Sequence, residues 1–206
     1  TTPLGTGYHD ARTQVIYRTN ELGGARRFTA LALDVVLPPG QTMHRFTVRL
    51  KHTTLGSYAT YAWETTDWTT VFQGDVNLLH PGWAVFPFTV PFDYNGASNL
   101  MVDLSFNNWY FTSDGLCRSS ATNGLRTLSG RADSQFGDPL DWSGTASPAG
   151  TPSASFLNVK LIAGRDVPIL PEFSGSFVNG TWIGQILVRE PATNVFLRAD
   201  DGQTHQ

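Results

Sequence analysis

The sequence predicts an all-β protein. An antiparallel β-sandwich, jelly-roll or immunoglobulin-like, is expected over residues 1–165, followed by a short, incomplete second β module over 166–206. Three observations lead there. Apolar and polar residues alternate in short runs, the period-2 mark of strands with one buried face. Between the runs stand Gly, Pro, Asn and Asp in turn-forming order. Apolar spacing of helical period is missing throughout, and the nearest candidate, "NELGGARRF" (20–28), carries two glycines that disfavour a helix.

The first strand is read at "TQVIYR" (13–18) and the second at "FTALALDVVL" (28–37), closed by the turn "PPGQ" (38–41). "RFTVRLKH" (45–52) alternates strictly, with Phe46, Val48 and Leu50 directed inward and Arg45, Thr47, Arg49 and Lys51 toward water. "WTTVFQG" (68–74) is the next strand, and "HPGW" (80–83) the next turn. "WAVFPFTV" (83–90) is apolar on both faces, but Pro87 restricts it to a sheet edge or a bulge. Trp68 and Trp83, both in strand patterns, are expected in the core. After the turn "DYNG" (93–96), "NLMVDLSF" (99–106) places Leu100, Val102, Leu104 and Phe106 inward. "SFLNVKLI" (155–162) completes the set. Residues 107–154 break the rhythm, reading as one hairpin about Asn123-Gly124 and then a long loop of the kind that often carries function.

A boundary is expected at "AGRDVPILPEFSG" (163–175). Beyond it "GSFVNGTWIGQILVREPATNVFLRADDG" (175–202) gives three short strands with turns at Asn179-Gly180, Pro191-Ala192 and Asp201-Gly202. Asn179-Gly180-Thr181 also fits a glycosylation acceptor, but a turn is the favoured reading. So few residues cannot build a closed sandwich. Val195 and Leu197 are therefore expected to form an assembly edge covered from outside 166–206. The cover is either a continuation of the polypeptide, which we favour, or a strand added by a neighbouring copy or adjacent module, with "TTPLGTGYHDARTQVIY" (1–17) as the natural donor. "TTPLGTG" itself reads as a processed N-terminus or an excised fragment.

Composition narrows the function. Hydrophobic residues make up 40% and charged residues 15%, with a net charge of −3, so the basic face that nucleic-acid binding needs is not expected. Residues 166–206 carry two basic and five acidic side chains, which accounts for the whole acidic excess. No run of 18 apolar residues suggests a membrane span. Abundant Thr, Ser, Gly and Asn with few Lys and Glu fits an extracellular β protein. The single cysteine, Cys117, forms no internal disulfide and is read as a buried thiol.

Candidate sites are few. His9, His44, His52, His80 and His205 make no pair at metal-ligand spacing, and the Gly-x-Ser-x-Gly nucleophile elbow is missing. Glu64 and Asp67 are the nearest carboxylate pair for glycoside chemistry, in a loop without a cleft signal. A non-enzymatic role is expected. Cofactors are not expected, calcium excepted: Asp93 and Asn95 in "DYNGASN" (93–99), Asp138 and Asp141 in "DPLD" (138–141) and the pair Asp200-Asp201 offer hard oxygen ligands. The competing reading of Asp93 and Asn95 is a capped hairpin turn. Tyr61, Trp63, Trp109 and Trp142 are candidates for a carbohydrate-binding platform, set against the alternative that they cap the ends of the sandwich.

Several stretches also resemble a known module: "RTQVIY…NELGG" (12–24), "LKHTTL" (50–55), "WTTVFQG" (68–74) and "GWAVFPFTVPFDYNGASNLMVDLSFNN" (82–108). Together, above all in "PF.YNG.SNL" followed by "SFNN", they are similar to a β-sandwich module recurring in large secreted and cell-surface proteins of environmental bacteria. The tail, with "F.NG.W.G" and "V.LRADDG", resembles the first strands of an immunoglobulin-like module. The resemblance implies an extracellular, modular protein with a structural or adhesive role, and no catalytic residues. The alternative is a carbohydrate-binding module of a secreted polysaccharide-active protein, with a polysaccharide as partner.

Overall fold

The computed structural model describes residues 3–146, 148–164, 167–171 and 173–191. The chain divides into two units, Thr1–Gly164 and Arg165–Gln206. In the first lie β1 (Asp10–Tyr17), β2 (Arg26–Leu37), β3 (Met43–Thr53), β4 (Thr69–Val76), β5 (Gly82–Tyr94), β6 (Asn99–Asn107), β7 (Leu116–Cys117), β8 (Ser119–Ala121), β9 (Thr127–Ala132), β10 (Thr151–Ser153), β11 (Ser155–Leu157) and β12 (Val159–Ala163). A single helical turn (Thr19–Leu22) and a 3-10 turn (Pro139–Asp141) interrupt them. In the second unit β13 (Ile169–Leu170) pairs antiparallel with β14 (Leu187–Val188). No helix among the described residues is long and apolar enough to cross a membrane.

The first unit is an all-β, antiparallel sandwich. One sheet runs β10-β9-β1-β6-β3-β4; the other runs β12-β2-β5, with β7 also paired to β2. The alternation in β3 and β6 decides what lies between them. Phe46, Val48, Leu50, Leu100, Val102, Leu104 and Phe106 share one buried cluster with Leu31, Leu33 and Phe86 of the facing sheet. Each such side chain contributes about 1.5–3 kcal/mol by leaving water. Pro87 sits where its missing N–H does least harm: β5 is an edge strand, and its register against β2 slips between Phe28 and Ala30, opposite Phe92 and Pro87.

The structure departs from expectation in four places. Residues 155–162 form not one strand but two, β11 against β8 and β12 against β2. The break falls at Asn158, whose N–H donates to the Arg118 carbonyl (2.9 Å) and whose side-chain oxygen accepts from Ser120 Oγ (2.8 Å). Asn123-Gly124 closes no hairpin, because β8 pairs with β11 while β9 pairs with β1 and β10. Trp83 is exposed on the outer face of the second sheet, with Lys160 Nζ 4.1 Å above its ring, and Trp68 is half-buried outside the sandwich core. Finally, most of the face of β3 expected to be wet is dry: Arg45 is exposed as expected, but Thr47, Arg49 and Lys51 are buried, and so is every residue of β1. Val195 and Leu197, the expected assembly edge, and Asp200-Asp201 lie outside the described residues.

Candidate functional site

What dries the outer face of the first sheet is a lid made of two loops, residues 54–68 and the described residues 133–146 and 148–150. They seal a charged network. β1 and β3 flank β6, so Gln14 and Arg49 are both cross-strand neighbours of Asp103. Asp103 accepts from Arg12 Nη2 (2.8 Å), from Gln14 Nε2 (3.3 Å) and from Arg49. Arg12 then holds both loops, donating through Nη1 to the Trp142 carbonyl (2.7 Å) and through Nη2 to the Glu64 carbonyl (2.9 Å). Glu64 also accepts Lys51 Nζ at 2.6 Å. Trp63 lies 5.1 Å over the Arg12 guanidinium and 5.8 Å from the Trp142 ring, while Trp68 covers Arg49 and Lys51. The Arg12 and Asp103 side chains are fully shielded from solvent. Such a network fixes loops, since charges withdrawn from water must find partners, but it offers no substrate an entry.

The accessible chemistry is at one end of the sandwich, where β6 runs out into Asn108, Trp109, Tyr110 and Phe111. Trp109 is 67% and Phe111 63% exposed, and Tyr110 is exposed between them. The backbone beneath this ridge is anchored. Asn108 N–H donates to the His9 carbonyl (2.8 Å), and its side-chain oxygen accepts the His44 N–H (2.7 Å). The Tyr110 carbonyl accepts Gln41 Nε2 (3.0 Å), and Thr112 N–H donates to the Thr6 carbonyl (2.8 Å). Behind the rings stand two histidines. His44 stacks on Trp109 with centroids 4.2 Å apart and planes 23° apart; His9 stacks on Phe111 at 6.0 Å and 21°. His44 is oriented in turn by Asp75 Oδ2 (2.9 Å from Nδ1), and His9 by Ser134 Oγ (2.7 Å from Nδ1). The Arg45 N–H and then His44 hold the Asp75 carboxyl below the usual range, so it stays ionised.

Among the sequence candidates, Trp109 alone belongs to this ridge. Trp63 and Trp142 are 4% and 1% exposed, and their faces are spent inside the lid. Tyr61 is 45% exposed in the loop that leads to Trp63. The oxygen-rich loops are occupied by turn bonds. Asn95 Oδ1 accepts from the N–H groups of Ala97 and Ser98, both at 2.9 Å, and Asp93 faces Arg27 at 3.7 Å. Asp138 caps the 3-10 turn through the Leu140 N–H (3.0 Å) and pairs with Arg45 (2.9 Å), while Asp141 is exposed in that turn. Among the described residues, no group of three or more His, Cys, Asp or Glu side chains is placed to hold a metal. Glu64 and Asp67 do not face each other across a cleft: Glu64 is bound to Lys51, and Asp67 accepts Thr66 Oγ1. Cys117 is buried and its thiol is pushed up to about 12 by burial, which keeps it unreactive. The sequence reading passes over Phe111 and weighs His9 and His44 only as metal ligands. The signal available was "NWYF" (108–111), three consecutive aromatics just past the end of a strand pattern.

No family model matches the chain, and no curated protein or solved structure matches it either.

Proposed function

We propose that this chain is a non-enzymatic structural and adhesive module of a large extracellular protein on a bacterial surface or fibre, and that the ridge Trp109–Tyr110–Phe111 is its contact surface. One observation supports this: three consecutive aromatic side chains stand in solvent on an anchored backbone, two of them backed by histidine rings. Hydrating such rings is unfavourable. The same unit buries Trp63 and Trp142, so it has the means to hide large rings. Apolar patches rimmed by polar groups mark interaction sites. Tyr and Trp suit the task because they present a large contact area while losing little side-chain freedom. The experiment is retention of fluorescently labelled chain on whole bacterial cells and on their extracted envelopes, wild type beside a Trp109→Ala/Phe111→Ala double variant. The wild type should be retained and the variant should lose about tenfold or more of that retention, with an unchanged melting temperature. Equal retention of the two would contradict the proposal.

A further inference from the structure

Resting on the reading of the ridge as a contact surface, we propose its ligand class: the ridge stacks against the apolar faces of a neutral pyranose polysaccharide, and the carboxylates around it turn acidic polymers away. The ridge offers faces, not a hollow. His44 stacks on Trp109, with the Tyr110 ring tilted beside it at 6.1 Å, and His9 stacks on Phe111; the rest of the Trp109 and Phe111 rings, 67% and 63% exposed, is the surface on offer. A sugar ring presents a flat C–H face with hydroxyls around its rim. It can lie on such a surface while the hydroxyls stay hydrated or bond to polar groups nearby. A chain of sugars can place successive rings on successive aromatics, so no deep pocket is needed.

The charge around the ridge selects the kind of polymer. Two arginines are close, and both are already engaged: Arg45 with Asp138 at 2.9 Å, and Arg131 with Asp114 at 2.7 Å, the latter also lying 4.7 Å over Tyr8. Against these two cations stand four carboxylates, Asp75, Asp114, Asp133 and Asp138. Asp75 bonds His44, Asp114 accepts the Gly7 N–H, and Asp133 accepts the His9 N–H. The local field is therefore negative, and a carboxylated or sulfated polymer meets like charge. Neutral hydroxyls suit the same groups, because an ionised carboxylate only accepts hydrogen bonds and a hydroxyl can donate one.

The test is affinity electrophoresis of the full chain through gels holding neutral polymers (β-glucan, mannan, galactan, xyloglucan) or acidic ones (alginate, polygalacturonate, hyaluronate). At least one neutral gel should retard the wild type. Trp109→Ala should weaken that retardation about tenfold, and Trp109→Phe, which keeps a stacking face, should restore most of it. Raising the salt from low to physiological should leave the retardation unchanged, because no net charge enters the contact. Retardation by acidic gels alone, retardation that falls with salt, or none in any neutral gel overturns the inference. If none occurs while the double variant still loses cell retention, the contact surface stands and its ligand is a protein or other envelope component. If the double variant keeps its cell retention, the contact surface itself is wrong.

Discussion

Asp103 concentrates the energetics of the molecule in one side chain. Two guanidiniums and an amide converge on it, and its side chain is fully shielded from solvent. Removing one partner of such a cluster leaves the others charged, buried and uncompensated. Asp103→Ala is therefore expected to lower stability by about 3–5 kcal/mol, far more than the loss of an exposed ion pair such as Arg118–Asp34. Urea unfolding of the two single variants measures the difference, and similar midpoints would show that the network is solvated. Asp10 makes the opposite kind of contribution. Burial pushes its carboxyl from 3.8 to about 6 despite the N–H that Ser134 donates to it, with His9, Asp133 and Asp138 nearby and one carboxyl oxygen unpaired. The folded chain thus holds this proton more tightly than the unfolded chain does. The stability it contributes is complete below about pH 4 and is lost as pH rises through about 6. Asp10→Asn removes that loss. The variant should gain on the wild type by up to about 3 kcal/mol between those limits, read as diverging melting temperatures across a pH series. Parallel curves would place Asp10 in water.

Among the elements, β3 and β6 were legible and the lid over them was not, and the reason is physical. Alternation reports that one face of a strand is apolar. Arg49, Lys51 and Asp103 at the other positions look the same whether water or a folded-back loop covers them. The cover comes from residues 54–68, 133–146 and 148–150, whose approach depends on long-range pairing that no local pattern encodes. The ridge is similar. Trp109 stood out as an aromatic beyond a strand, but its support comes from His44 at the start of β3 and His9 just before β1, neighbours only because β1 and β3 flank β6. The split of residues 155–162 was hidden too, since Asn158 continues the alternating pattern while changing the strand's partner. One glycine connects β9 with the lid. Gly130 lies across from Arg12, and a Cβ there would come within 2.8 Å of Trp63 Cζ2. Gly130→Ala is expected to push Trp63 off the Arg12 guanidinium and cost about 1–3 kcal/mol. The lower melting temperature should come with a red shift of the tryptophan emission; an unshifted spectrum at full stability would mean that the lid gives way without cost.

At the scale of the whole first unit, the sandwich treats its two outer faces differently. Loops carrying Trp63, Trp68 and Trp142 close one face, while the other leaves Trp83 and Val85 in solvent on the second sheet. The described residues of the core between the sheets lie in the first unit, and the ridge stands at one end of that scaffold. The described residues of the first unit offer exposed rings at the ridge, on the Trp83 face, in the Tyr61 loop, and at Tyr8 and Phe136. Anchoring separates them, because only the ridge combines two stacked histidines with a hydrogen-bonded backbone. The measurement that decides among them is nuclear magnetic resonance of the isotope-labelled chain during titration with oligosaccharides cut from a neutral pyranose polymer. Chemical-shift changes are expected to concentrate on the Trp109 indole N–H, the amides of residues 108–111 and the His44 ring. Changes centred on Trp83 and Val85, or on Tyr61, with the ridge unmoved, would contradict the account.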